Sequence, residues 1–136
     1  MIEFLLDSSA LWRLLRDKTL ATGLEELVSA GAVGSCAPQR TEFTRSARSL
    51  EEYLQVTEMF GDLYPDVAVP KAAWRWIESA QHTLVRAGAL RALSLPDLLV
   101  CATAALSGLV VLHDDSDFVT AARYLTDVEE QRVREL

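Results

Sequence analysis

Four acidic residues occupy positions where an enzyme would need them to hold a metal ion. They are Asp7, Glu42, Asp97 and Asp115, and Asp117 follows shortly after the last of them. Carboxylate oxygens are the ligands that hard divalent cations such as Mg²⁺ and Mn²⁺ prefer. If the four side chains converge, a bound cation would offset their mutual repulsion. It could also activate a water molecule against a phosphodiester bond.

Taken one at a time, each of these acids has an ordinary structural explanation. Asp7 could simply end a strand, and Asp115 and Asp117 could be turn or capping residues. Glu42 and Asp97 could complement the dipole of a helix near its amino terminus. Only their joint placement favours a shared site.

The elements that must position these acids alternate between short apolar strands and amphipathic helices. We predict strands at 2–6, 32–37 and 109–112, a short extended piece at 66–69, and an edge strand beginning at Val128. We predict helices after Asp7 (capped by Ser8 and Ser9), at 19–30, from Pro38, at 49–63, at 72–87, from Ser94 to Gly108 and at 118–125. This alternation is typical of an α/β fold with parallel strands, whose carboxyl ends share one edge. Asp7 and Asp115 would lie at that edge, and Glu42 and Asp97, in first helical turns, would lean towards it.

The length and composition are those of an ordinary globular domain. The chain has 136 residues, half of them hydrophobic, and a formal net charge of −7, which argues against broad electrostatic binding of nucleic acid. The two cysteines, Cys36 and Cys101, lie in apolar stretches and indicate neither a disulfide nor a zinc site. There is no signal-peptide pattern and no membrane-spanning run, so we expect a cytoplasmic protein with no membrane partner.

Four segments around the acids resemble the motif blocks of PIN-domain ribonucleases, in particular the VapC toxins of bacterial toxin–antitoxin pairs. They are FLLDSSAL at 4–11, PQRTEF at 38–43, LPDLLVCATA at 95–104 and VLHDDSDF at 111–118. The blocks follow the order of that family, with similar spacing, over almost the whole chain. Each block alone is weak, whereas the ordered set is fairly specific.

The resemblance implies a single PIN domain over residues 1–136, a three-layer α/β/α sandwich with a mainly parallel central sheet. It implies cleavage of RNA by a metal-activated water, with Mg²⁺ or Mn²⁺ as cofactor. It also implies a VapB-type antitoxin whose carboxyl-terminal segment lies beside the acids, and a homodimer. The family pattern makes Asp7, Glu42, Asp97 and Asp115 the metal-binding and catalytic acids, with Asp117 contributing through a water or a hydrogen bond.

The sequence allows more than one role for several other residues. His113 stands where the family commonly has Ser or Thr, and we favour a structural or supporting role for it over metal ligation. Arg45 lies three residues after Glu42 on a predicted helix and could hold a phosphate or form a surface ion pair. The tryptophans Trp12, Trp74 and Trp76 could stack on bases. We expect Trp12 and Trp74 in the core or an interface, and Trp76 to be partly exposed.

Two alternatives stand beside the ribonuclease. The chain could be a PIN-like interaction module without catalytic activity, although the complete set of acids argues against this. It could also be another metal-dependent phosphohydrolase, such as a small-molecule phosphatase. The first strand ends in Asp7-Ser8-Ser9, however, without the Asp-x-Asp pair of the commonest aspartyl-phosphate enzymes.

Overall fold

A four-stranded parallel sheet forms the centre of the computed structural model, which describes all residues from Met1 to Leu136. The strands are β1 (Phe4–Leu6), β2 (Val33–Gly34), β3 (Val110–His113) and β4 (Glu129–Arg132). Their order across the sheet is β2-β1-β3-β4, and all three neighbouring pairs are parallel. The parallel α/β arrangement is therefore confirmed.

Helices connect the strands and cover both faces of the sheet. They are α1 (Ser8–Arg16), α2 (Lys18–Gly23), α3 (Glu25–Ser29), α4 (Ala37–Thr44), α5 (Leu50–Leu63), α6 (Ala73–Arg86), α7 (Leu95–Ser107) and α8 (Ser116–Tyr124), with short 3₁₀ turns at Leu90–Ala92 and Val133–Glu135. None of these helices combines the length and the apolar character that crossing a lipid bilayer would require.

Two hydrophobic cores, one on each face of the sheet, make the fold a three-layer α/β/α sandwich. Side chains alternate along a strand between its two faces, so Leu5 and Val111 join the core that contains α6, α7 and α8. Leu6 and Leu112, the next residues along, join the core that contains α1 and α5. Cys36 and Cys101 are buried free thiols, as expected.

Several of the predicted elements have different bounds in the structure. The helix predicted at 19–30 is two short helices, α2 and α3, because Leu24 between them departs from helical geometry. The strand predicted at 32–37 is reduced to Val33–Gly34, and the piece predicted at 66–69 contributes a single bridge between Ser35 and Asp66. The helix predicted at 118–125 begins at Ser116, because Asp115 caps it.

Apolar residues on two helices are more exposed than the sequence pattern indicates. On α5, Phe60 is buried, whereas Leu50, Tyr53 and Leu54 face solvent. On α6, Ile77 and Leu84 are buried, but Trp74 is 57% exposed and lies outside the core, so of its two predicted positions only the interface stays a prediction. The physical reason is that α6 packs against α7 and α8 through a narrow face, which consists of Ala73, Ile77, Ala80 and Leu84.

Candidate functional site

Four of the five acids line one cleft at the carboxyl ends of the strands. The cleft has a volume of about 310 Å³, and its walls include Asp7, Glu42, Asp97 and Asp115. The remaining lining residues are four serines and two aromatic residues, Ser8, Ser9, Ser46, Ser94, Trp12 and Phe43. Asp117 is exposed and does not line the cleft. Residues that are far apart in the sequence are thus brought together by the sheet edge.

Asp7 is the most buried acid of the cleft, with 4% of its surface exposed. It directly follows β1 and is the amino-terminal cap of α1, a role that we had predicted for Ser8 and Ser9. Its Oδ2 accepts hydrogen bonds from the Ser9 backbone N–H at 2.9 Å and from Ser9 Oγ at 2.6 Å. Burial raises the pKa of Asp7 to about 6, and the charges of Asp97 and Glu42 add to this effect against the opposing bonds from Ser9.

Two of the other three acids of the cleft, Asp97 and Asp115, are held by the starts of their own helices. Asp97 forms a capping box with Ser94 at the start of α7, and burial, with charge repulsion from Glu42 and Asp115, raises its pKa. Asp115 caps α8 by accepting the Asp117 backbone N–H at 2.9 Å. Glu42 lies in the second turn of α4, later than predicted, and still reaches the cleft.

The donor set of the cleft suits a hard divalent cation, although its side chains are not arranged around one. No three His, Cys, Asp or Glu side chains are close enough to form a ready metal site. Asp7, Asp97 and Asp115 instead accept backbone N–H groups of their own helices. Carboxylates repel one another without a cation between them. Four carboxylates and no thiol or imidazole in the lining fit Mg²⁺ or Mn²⁺ better than zinc.

His113 is fully buried at the end of β3, next to the loop that carries Asp115. Its Nδ1 accepts the Asp115 backbone N–H at 3.1 Å, so Nε2 carries the proton and donates to Glu130 Oε1 at 2.7 Å. Its ring packs on Phe118, with centroids 5.2 Å apart. These contacts tie β4 to the loop that carries Asp115, which agrees with a supporting role for His113.

Asp114 and Ser9 form a second connection that the sequence analysis missed. Asp114 accepts hydrogen bonds from Arg134 Nε at 2.7 Å, Arg13 Nε at 3.0 Å and Arg132 Nη1 at 3.4 Å. Partial burial acts to raise the pKa of Asp114, but the bonds from Arg134 and Arg13 outweigh it and lower this pKa. The Asp114 backbone N–H also donates to Ser9 Oγ at 2.9 Å. No spacing rule pairs arginines near the chain end with an acid after β3, so only the fold reveals this cluster.

None of the arginines or lysines lines the acidic cleft. Arg45 caps the carboxyl end of α4 and is exposed, and the structure shows no side-chain contact that decides between a phosphate-binding role and a surface ion pair. Arg40 donates to Asp66 Oδ1 at 2.7 Å and to Ser35, beside a larger cavity of about 510 Å³ between α4 and α5. The charged groups of that cavity are paired with each other, and it contains none of the five acids.

Comparison with known proteins agrees with this geometry. A family model of the PIN domain matches residues 4–124. The chain is 61% identical over 111 residues to ribonuclease VapC6 of Mycobacterium tuberculosis. The aligned region covers 82% of this chain and 87% of that protein. The chain is 32% identical over 116 residues to ribonuclease VapC21 of the same organism, covering 85% and 83% respectively.

Solved structures with the same fold include toxin–antitoxin complexes. A DNA-bound VapBC from Salmonella typhimurium aligns with a TM-score of 0.78 at 18% identity, over 98% of this chain and 99% of that one. VapBC-5 from Mycobacterium tuberculosis aligns with a TM-score of 0.66 at 22% identity, over 97% and 99%. At these identities the likeness concerns the fold alone. Together with the sequence matches, it leads to one conclusion: the chain belongs to the PIN-domain family, within its VapC ribonuclease group.

Proposed function

We propose that this protein is a metal-dependent endoribonuclease that acts as the toxin of a type II toxin–antitoxin module. It hydrolyses RNA phosphodiester bonds within a single PIN domain that spans residues 1–136. The observation that carries the proposal is the convergence of four acids in one cleft, in a chain 61% identical to a VapC ribonuclease.

Asp7, Glu42, Asp97 and Asp115 are the proposed metal ligands, and Asp117 supports them through a water or through its bond to Asp115. When bound there, Mg²⁺ or Mn²⁺ would lower the pKa of a water molecule and stabilise charge on the leaving oxygen. The raised pKa of Asp7 supports this assignment, because a carboxylate that is costly to ionise alone gains most from a nearby cation.

The chain's own residues orient these acids before any ligand arrives. Ser9 fixes Asp7 through two hydrogen bonds, and the capping box of α7 fixes Asp97. His113 and Glu130 hold the backbone at Asp115. Such preorganisation matters because a displacement of even an ångström in a catalytic group is costly.

The proposed partners are RNA as substrate, a VapB-type antitoxin as inhibitor and a second copy of the chain. The antitoxin is inferred from the VapBC complexes that share this fold. A basic side chain of the antitoxin would lie beside the acids, where it would take the place of a cation.

The first experiment maps new RNA 5′ ends in cells that express the wild-type chain or Asp97→Asn. We expect growth arrest and a few sharp cleavage sites with wild type, and neither with Asp97→Asn, because the substitution removes one proposed ligand. Asp62→Asn is the matched control, since Asp62 is exposed on α5 and lies outside the cleft. Purified wild type should cleave the mapped site with Mg²⁺ or Mn²⁺ and lose at least about a hundredfold in rate with EDTA.

Equal cleavage by Asp97→Asn would refute the assignment of the acids. Absence of new ends and of arrest with folded wild-type protein would instead favour the inactive interaction module.

A further inference from the structure

Trp12 is the one large aromatic side chain of the acidic cleft that is open to solvent. It lies on α1, close after Asp7, and is 39% exposed. Phe43, the other aromatic residue of the cleft, is 3% exposed. Leu11 and Leu14 are the large apolar side chains that α1 buries, whereas Trp12 keeps more than a third of its surface exposed.

The indole of Trp12 packs against a buried aromatic ring. Its ring lies against Phe43, with centroids 4.6 Å apart and planes tilted by 36°. Phe43 is in turn fixed edge-on by Phe60 at 5.8 Å. The Trp12 ring is therefore anchored by the core and also lines the cleft, and this anchoring limits the entropy lost when a flat ligand stacks on it.

The cleft lacks the usual means of holding a nucleotide. No arginine or lysine lines it, and the acids repel phosphate unless a cation lies between them. Within the cleft itself, binding energy for the substrate then comes from the cation and from uncharged contacts. Stacking of a base on an aromatic ring is the uncharged contact that single-stranded nucleic acids offer most readily.

We infer that Trp12 stacks on an unpaired base of the RNA next to the bond that is cut. This inference rests on the proposed ribonuclease function and adds one residue that would bind the substrate beside the acids. The base must be splayed out of any helix to reach the indole, so a duplex containing the same sequence is a poor substrate. The serine hydroxyls of the lining, Ser8 and Ser46 among them, flank the same space.

The test measures kcat and KM on a single-stranded RNA oligonucleotide that carries the mapped cleavage site, with wild type, Trp12→Phe, Trp12→Leu and Trp74→Leu. Trp12→Leu keeps an apolar side chain against Phe43 but removes the π face, whereas Trp12→Phe keeps both. We expect Trp12→Leu to lose roughly tenfold or more in kcat/KM, mainly through KM, and Trp12→Phe to retain most of it. Trp74→Leu is the matched control, because Trp74 is exposed on α6 and does not line the cleft.

A second measurement reports on Trp12 directly. In the double variant Trp74→Phe/Trp76→Phe, Trp12 is the remaining tryptophan, and its fluorescence should be quenched by the single-stranded oligonucleotide but not by the same sequence in a duplex. Wild-type KM in Trp12→Leu, or fluorescence that RNA leaves unchanged, would overturn the inference while leaving the ribonuclease function intact.

Two other results are distinguishable. Normal cleavage by Trp12→Leu together with weaker binding of the antitoxin would assign Trp12 to the protein interface and overturn its role in binding RNA. A wild-type protein that cleaves no RNA would overturn the proposed function and this inference with it.

Discussion

At the scale of single residues, Asp7 is an acid whose ionisation costs stability in the folded protein. Its folded-state pKa, about 6, lies above the unperturbed value of 3.8 because the side chain is buried among other acids. The folded protein therefore binds this proton more tightly than the unfolded chain. Between those two pH values stability falls as pH rises, and the full cost, on the order of 3 kcal/mol, is present above the folded pKa.

We therefore expect Asp7→Asn to be more stable than wild type at neutral pH, by up to roughly 3 kcal/mol. Asparagine still caps a helix well, so the substitution removes the charge and keeps the cap. The advantage should shrink as pH falls below the folded pKa and vanish near the unperturbed one. Urea denaturation across this pH range, without divalent cations, measures the difference in the free energy of unfolding.

Asp114→Asn serves as the control with the opposite sign. The pKa of Asp114 is lowered by its arginine partners, so its charge stabilises the fold above its unfolded pKa and this contribution is lost as pH falls through its folded pKa. Asp114→Asn should thus be less stable than wild type at neutral pH. If Asp7→Asn were no more stable than wild type there, the burial account of Asp7 would be wrong.

At the scale of elements, β2 and the 65–67 segment lie so close together that position 34 requires glycine, the residue without a side chain. A Cβ built on Gly34 would lie 2.7 Å from Val67 Cγ2 and 3.1 Å from the Pro65 carbonyl oxygen. The Ser35 backbone N–H donates to that same carbonyl, so the segment cannot simply withdraw. Residue 34 therefore has no room for a side chain unless Val67 or the Pro65 carbonyl moves.

We expect Gly34→Ala to destabilise the fold by about 1–3 kcal/mol, because the added methyl group overpacks this contact. Gly61→Ala is the matched substitution, since Gly61 lies within α5 with nothing near its Cβ position. It should stabilise the protein by about 0.5–1 kcal/mol through helix propensity. Opposite signs in chemical denaturation support the packing account, and a neutral Gly34→Ala would contradict it.

At the scale of the whole molecule, the formal net charge of −7 favours the binding of positively charged ligands and partners. The acidic cleft carries four of the negative charges on one sheet edge, and no basic side chain of the chain itself lines it. A metal ion or a basic side chain of an antitoxin would each offset the negative potential of the cleft. Occupation by the antitoxin would then exclude the cation and stop cleavage.

For the complex with a VapB-type antitoxin, we expect Asp97→Asn to weaken binding by about tenfold, which corresponds to about 1.4 kcal/mol. Binding should also weaken with added salt, because it depends on opposite charges at the cleft. Titration calorimetry of wild type, Asp97→Asn and the control Asp62→Asn measures both effects. Identical affinities for all three proteins would place the antitoxin away from the acids.

The sequence by itself determined the alternation of strands and helices, and through it the edge on which the acids must lie. The apolar strand at 109–112 and the capping signature at Ser94 are local patterns. They depend on neighbouring residues along the chain, so they can be recognised without knowledge of the tertiary fold. The ordered motif blocks then pointed to the family, which the comparisons confirmed. The assignment of Asp7, Glu42, Asp97 and Asp115 as metal ligands stays a prediction.

Only the tertiary structure decided which side chains meet across long sequence separations. The Asp114 cluster joins Arg13 to Arg134, and Trp12 reaches Phe43, through contacts that no periodicity encodes. The exposure of Trp74 was likewise invisible, because an amphipathic pattern states which residues are apolar but not how wide a face the neighbouring layer can cover. Burial, and with it the raised pKa of Asp7, is a property of the assembled layers and not of any one segment.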